Sequence, residues 1–341
     1  MVLLSLLLVA SLTAATQIAA WRATRAARLA WNAERATHAA DEAIALTVAD
    51  WHPEAVARRA IGERWSRTVL TAGGVLVEVS LARTAPLDLV VMARATSKVS
   101  GAPDTASRRI VRALSLHVPP FPLHAAFTTL GAVGVHGGAV VDGRDLASAL
   151  DGCGTSRDTL SVTGVYGGAV TADALAAIAG APPVFAPGLG SPTLLSDSVA
   201  FTAAWDTAQT RTSQLRRLAP GAPLGATVPW ESVRLMSADS VGPATVMLGG
   251  VSRHEGLLLV DGDLVVVGTL LVHGLLVVRG TVDVTNGVLD VRGSVIVGGE
   301  GARASTLGAL TRVQYSPCST RRALAAISRP RVAPFGLWMA R

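Results

Sequence analysis

Nineteen consecutive residues, Val2 to Ala20, carry no charge, no proline and no glycine. Wound as a helix rising about 1.5 Å per residue, such a run spans roughly 29 Å, the thickness of a bilayer's hydrocarbon core. We read residues 2–20 as a membrane anchor whose bulk comes from Leu3, Leu4, Leu6, Leu7, Leu8, Leu12 and Ile18. Arg22, Arg25 and Arg28 follow at a spacing of three, which puts them on one side of a continuing helix. No glycine or proline occurs before Pro53, and Trp21 to Asp50 is rich in alanine, so propensity carries one helix from about Leu3 to Asp50, roughly 70 Å long. The competing reading is a cleaved secretory signal, for which Ala10 to Ala20 offers small residues at a cut site. A signal, however, needs basic residues ahead of its apolar run and has no reason to continue as thirty further helix-forming residues. Because arginines just after a first span usually stay cytoplasmic, an exported body implies a basic leader upstream of Met1.

Past the helix the pattern changes period. Pro53 ends the long helix, and a short helical stretch from Pro53 to Trp65 turns the chain. Val69, Val75, Val77, Val79 and Leu81 then alternate with polar residues about the Ala72-Gly73-Gly74 turn, and Leu87 to Ala95 reads as the next strand. Ala106 to Val118 fits either another strand or a short helix, and Pro119, Pro120 and Pro122 close the unit. Three regions result: an anchor and extended helix over 1–52, a helix packed on an antiparallel sheet over 53–122, and a glycine-rich body over 125–341. Within the body, residues 144–230 read as an irregular insertion rich in proline, with a helix from Asp197 to Leu218 lying across a sheet.

The body's ordering principle is a ladder of glycines at 256, 262, 268, 274, 280, 287, 293 and 299, a period of six with a single-residue insertion. Four or five β-formers precede each glycine, as in Leu257 to Val260, Leu264 to Val267 and Leu275 to Val278. Repeats this short bury their apolar faces only by stacking on one another, so we expect a short parallel β-solenoid-like region with Gly256, Gly262, Gly268, Gly274, Gly280, Gly287 and Gly293 at turns between stacked strands. The rival is an up-and-down meander turning at Asp261-Gly262 and Asn286-Gly287, dipeptides that favour tight hairpins. The fold class expected overall is α+β: a long N-terminal membrane-spanning helix followed by a β-rich body.

Composition narrows the function. Half the chain is apolar and only 16% is charged, and the net charge of +6 is almost all arginine, Lys98 being the single lysine. No basic run exceeds two residues and few aromatics are interleaved, so no nucleic-acid partner is expected. The seven histidines are scattered without HExxH, CxxC or His-x-His spacing, and no metal or cofactor is expected. Nucleophile elbows and phosphate loops are missing too, so the chain reads as non-enzymatic. Asp261 and Asp263 flank Gly262, and paired carboxylates serve glycosidases, but Asp-Gly-Asp is also what a solvated turn requires. His136 and His273 each precede a glycine and read as turn residues. Cys153 and Cys318, the two cysteines, can pair if the body is extracytoplasmic; the alternative is two buried thiols.

The anchor, the stretch Arg25 to Ala39, the acidic step Asp41-Glu42-Ala43 and the ladder GLLLVDGDLVVVGTLLVHGLLVVRGTV, with YSPCSTRRAL over Tyr315 to Leu324 and Trp338 near the end, together resemble the PilX-type minor pilins and related assembly proteins of type IV pili. That resemblance implies a single-pass protein of the bacterial inner membrane, anchored in the lipid bilayer through residues 2–20, with its body extracytoplasmic. Its partners would be other pilin-like or pilus-assembly subunits. A tethered or secreted β-solenoid that binds or cleaves extracellular polysaccharide is the alternative, although the ladder from 256 to 299 holds no aromatic residue.

Overall fold

In the computed structural model the described residues are 2–98, 105–145, 161–238, 244–299 and 303–332. Helix α1 (Val2–Ala49) is unbroken, and its two halves have different surroundings. Side chains from Ser5 to Trp31 are all exposed. From there Asn32, Ala36, Ala39, Ala40, Ala43, Ile44 and Thr47 are buried, a stripe at three- and four-residue spacing whose small members let the helix axis lie close to a sheet. Among the described residues α1 is the one helix long and apolar enough to cross a membrane.

The sheet beneath it is an antiparallel meander. After α2 (Pro53–Arg58) come β1 (Arg64–Leu70), β2 (Leu76–Ala85), β3 (Asp88–Lys98) and β4 (Thr105–His117). Alternating Val77, Val79 and Leu81 on β2, and Leu89, Val91, Ala93 and Ala95 on β3, face the alanine stripe of α1 in one core. Polar contacts fix the helix on the β1–β2 turn: Arg35 donates to the Gly73 carbonyl at 2.7 Å and Glu42 accepts from the Ala72 N–H at 2.7 Å. Arg112–Asp41 (3.1 Å) and Arg67–Asp50 (2.9 Å) flank them. The segment 106–118 is thus a strand, and α2 stops at Arg58, six residues short of Arg64, where the chain enters the sheet.

From residue 125 to residue 315 the strands pair in parallel. In order come β5 (Ala125–Thr129), β6 (Ala132–Val135), β7 (Val140–Asp142), β8 (Thr163–Tyr166), β9 (Ala169–Ala172), β10 (Ala177–Ala179), β11 (Val184–Phe185), α3 (Pro192–Arg211) and β12 (Gln214–Leu218). They are followed by β13 (Glu231–Ser237), β14 (Val246–Leu248), β15 (Val251–Val260), β16 (Leu264–Val266), β17 (Thr269–Val278), β18 (Val282–Asp283), β19 (Val288–Val297), β20 (Ser305–Leu307), β21 (Thr311–Tyr315), α4 (Pro317–Ala325) and β22 (Arg329–Val332). One parallel sheet runs β12-β13-β15-β17-β19 and then divides, its next level being β21 on one half of β19 and β5 on the other. A second parallel sheet runs β14-β16-β18-β20-β6-β9. The apolar core, including Leu258, Val260, Leu276, Val278, Val266 and Val282, draws on the strands of both. The strands are parallel, so the hairpins of a meander do not occur at Asp261-Gly262 or Asn286-Gly287.

The unit of pairing is three glycine repeats. Val251 pairs with Thr269 and Thr269 with Val288, steps of 18 and 19 residues, the odd residue falling between Gly280 and Gly287, so that Gly256, Gly274 and Gly293 stay in register. These three glycines, expected at turns, lie inside ten-residue strands with φ of 129°, 142° and 146°. That left-handed backbone bends each strand in mid-course, and a Cβ on Gly274 would meet the Gly256 carbonyl oxygen of the strand before it. Gly262, Gly268, Gly280 and Gly287 do sit at bends between strands.

Two further expectations need correction. The insertion over 144–230 is not irregular throughout: β8, β10 and β11 extend the first parallel sheet and β9 the second. Their strands of two to four residues are too short to give a readable alternation. The helix expected over Asp197–Leu218 starts earlier, where the Ser191 side chain caps it and Pro192 opens it, and its C-terminal part is instead strand β12. The chain end also returns, for β22 pairs with β4 in the antiparallel sheet.

Replacing Gly274 by alanine is expected to destabilise the body by more than about 1 kcal/mol, since the left-handed backbone and the neighbouring carbonyl both oppose a side chain. Urea unfolding followed by circular dichroism measures it, and an unchanged midpoint would contradict the assigned bend.

Candidate functional site

The bends at Gly256, Gly274 and Gly293 divide the outer face of the larger parallel sheet. Beyond each glycine, Leu257, Leu259, Leu275, Val277 and Ile296 are covered by Leu194, Phe201, Ala204, Trp205 and Ala208 of α3. Before each glycine the outer face is bare of that helix and carries Arg253 and Glu255, then Leu271 and His273, then Asp290 and Arg292. In-register pairing arranges these as two rows across the strands: Glu255, His273, Arg292 and, on β21, Gln314; and Arg253, Leu271, Asp290 and Arg312. The first three pairs line a groove of about 440 Å³ together with Trp230 and Arg322, which stand at its end nearest β13.

That end wall is built tightly. Trp230 is 6% exposed and holds φ at 59°, unusual for a large side chain, with its N–H donating to the Glu255 carbonyl at 2.7 Å. Its neighbour Glu231 is fully buried and accepts from the Val228 N–H (3.0 Å) and Gln214 Nε2 (2.8 Å), which fixes the loop on both sides of the ring. The Arg322 guanidinium lies 4.0 Å over the Trp230 ring, and the His273 ring meets its edge at 5.2 Å and 60°. His273 Nε2 is 3.0 Å from Ser319 Oγ of α4. The contacts of Arg322, Trp230 and His273 make this a pre-organised wall, while Arg253 and Arg292 stand exposed on the floor.

Beneath the floor, His254 points into the core in the row occupied by Val272 and Val291. It is fully buried, neither ring nitrogen has a hydrogen-bond partner that meets normal geometry, and burial holds its pKa down to about 4, opposed only by the Leu257 backbone and assisted by Arg216. A second cluster joins α3 to the sheet: Asp197 accepts from the Tyr166 hydroxyl (2.6 Å) and contacts His124 Nε2 (3.0 Å), with burial and that carboxylate raising the Tyr166 pKa. Both carboxylate oxygens are engaged, which makes the cluster a clamp on α3.

The residues singled out from sequence fall elsewhere. Asp261 is not in a solvated turn; it is buried at 2% exposure and paired to Arg234 and Arg279. Asp263 accepts from the Thr281 N–H (2.7 Å) and hydroxyl (2.9 Å), tying one level to the next. Isolated charge is costly to bury and arginine removes that cost, which the Asp-Gly-Asp string alone does not reveal. His136 and His273 diverge, the first near Asp173 at 3.9 Å and the second in the groove wall. Leu3, Leu6, Leu7, Leu8, Leu12 and Ile18 are exposed on α1, which also contains Leu4. Cys318 is disulfide-bonded, and Cys153 lies outside the described residues. The groove residues did leave a trace: polar side chains stand one and three places before Gly256 and Gly293, in Ser-Arg-His-Glu-Gly and Leu-Asp-Val-Arg-Gly, and one place before Gly274. Trp230 and Arg322 left none, since they come from distant loop and helix. Among the described residues no group of three or more histidine, cysteine or carboxylate side chains is placed to hold a metal. Comparison with protein-family models, curated proteins and solved structures finds no match to this chain.

His254 gives a pH prediction. Its folded pKa, about 4, lies below the unfolded value of 6.5, so the unfolded chain binds the extra proton and stability falls as pH drops from about 6.5 toward 4. The full difference, 6.5 minus about 4, amounts to about 3 kcal/mol at 1.36 kcal/mol per unit. Thermal unfolding across this window is expected to show that loss in the native chain and a shallower one in His254→Leu; equal slopes would exclude His254 as the source.

Proposed function

We propose that this chain is a membrane-anchored, non-enzymatic structural or assembly protein of a type IV pilus or related secretion pseudopilus, acting through contacts with other pilin-like subunits. In this reading it is a single-pass protein of the bacterial inner membrane, its body extracytoplasmic and its paired 18- and 19-residue repeats forming a short right-handed β-solenoid. The supporting observation is the division of α1. One continuous helix has a bare apolar half, with Leu3, Leu7 and Val9 each more than 60% exposed, and a second half whose alanine stripe is locked onto an antiparallel sheet. Exposed leucines on that scale would be an aggregation liability in water and are what a lipid-facing helix requires. The engagement of Asp261 and Asp263 in structural contacts speaks further against a carboxylate-pair enzyme.

Cell fractionation tests the anchor. Leu8→Arg adds about 2.5–3.5 kcal/mol at mid-span on insertion scales and is expected to shift the protein out of the membrane fraction. Retention equal to wild type would refute a spanning role. Deletion of the gene is expected to reduce surface pili, with recovery by the wild-type chain and not by Leu8→Arg; undiminished piliation would refute the assembly role.

A further inference from the structure

We infer that the groove in front of β15, β17 and β19 is a binding site for an uncharged, extended polysaccharide lying across the strands. The floor presents one pair of side chains per strand level, Arg253 and Glu255, Leu271 and His273, and Asp290 and Arg292, and Arg312 and Gln314 continue the two rows on β21. Parallel strands are about 4.8 Å apart, so these pairs recur at that step along the stacking axis. Successive rings of an extended 1,4-linked glycan recur at a similar, slightly longer step, so a short stretch of a few rings stays near register with the levels. A peptide laid along this axis would be out of phase, because its residues rise about 3.3 Å and its same-face side chains return at twice that distance.

Chemistry selects within the polymers. Glu255 and Asp290 accept, Arg253, Arg292 and Arg312 donate, and Gln314 does both, so the rows offer the mixture of donors and acceptors that hydroxyl groups satisfy. Arg253 already lies 3.1 Å from Glu255, which lowers the positive charge available to an anionic chain. A polyanion would meet Glu255 and Asp290 at the floor and gain little there. Leu271 supplies an apolar patch between the polar pairs for the C–H face of a ring, and Trp230 with Arg322 stops the chain at the end beside β13. This inference does not rest on the pilus assignment, and loss of glycan binding would leave the anchor's role untouched.

The test uses the full chain in detergent and affinity electrophoresis through gels containing hydroxyethyl cellulose or xylan, with polygalacturonate as the acidic comparison. Retardation by a neutral glycan is expected, weakened about tenfold or more by Arg292→Ala and by Asp290→Ala, each of which removes a charged hydrogen-bonding group. Arg109→Ala, on an exposed position of β4, is expected to leave retardation unchanged, and circular dichroism confirms that each variant is folded. Free migration through both neutral glycans, retardation by polygalacturonate alone, or retardation indifferent to Arg292→Ala and Asp290→Ala in folded protein would each overturn the assignment.

Discussion

Of the carbonyl groups at the C-terminal end of α2, that of Val56 accepts the Arg59 N–H at 3.1 Å, and two arginines from opposite parts of the chain converge on this end. Arg83, from β2, donates to the carbonyls of Val56 (3.0 Å), Ala57 (3.0 Å) and Arg59 (2.8 Å), and to that of Pro86. Arg322, from α4, donates to those of Ala57 (3.1 Å), Arg58 (3.2 Å) and Arg59 (3.4 Å). Burial and the nearby Arg322 lower the Arg83 pKa to about 10, which leaves it charged at neutral pH. Burying a guanidinium is costly unless its donors find acceptors, and here backbone carbonyls take both terminal nitrogens of Arg83 and the Nε and Nη2 of Arg322, leaving Arg83 Nε without a partner. The antiparallel unit and the parallel body therefore share one short helix as a common acceptor. Glu54 reinforces the joint from the same helix, accepting from the Ser232 hydroxyl at 3.0 Å and from the Ser213 hydroxyl.

From that joint the wall of the groove follows. Arg322 is held by α2 on one side and presents its guanidinium to Trp230 on the other, so the ring is fixed by a residue whose position depends on the antiparallel unit. The floor depends on a different constraint, the glycine bend. Past the left-handed glycine the outer face is buried against α3 and α4, whereas before it the face is open except where Trp230, Ser319 and Arg322 meet it. Interior valines and leucines stack in register on both sides of the bend, and His254 is the exception, a titratable ring in a row otherwise filled by Val272 and Val291.

Periodic features were legible in the sequence and convergent ones were not. The single helix, the hairpin about Gly73-Gly74 and the parallel-stacking potential of the glycine repeats all rest on local pattern, and α1, β1–β2 and β15–β19 follow it. The step of the repeat was misread because six residues are one segment of an 18-residue unit, and a glycine inside a strand has the same letter as one at a turn. Short levels such as β10 and β11 have too few residues for any period. Asp261 was misplaced for a related reason: its partners Arg234 and Arg279 are 27 and 18 residues away, and only stacking brings them beside it.

Stiffness connects the proposed membrane span to the groove. Between Ala20 and the first buried helix residue, Asn32, eleven exposed residues hold about 16 Å of helix without a glycine or proline, so a body anchored through residues 2–20 would stand off a bilayer on a rod and not on a flexible tether. The rod's buried half is fixed to β3 and β4 by packing and to the β1–β2 turn by Arg35 and Glu42. Arg83 passes that constraint to α2, α2 passes it to Arg322, and Arg322 passes it to Trp230 at the end of the groove. Each of these links is a packed or multiply hydrogen-bonded contact with little room for rotation. An occupant of the groove would accordingly be held at a set orientation to the anchor helix, and a load applied to it would pass through α2 to α1.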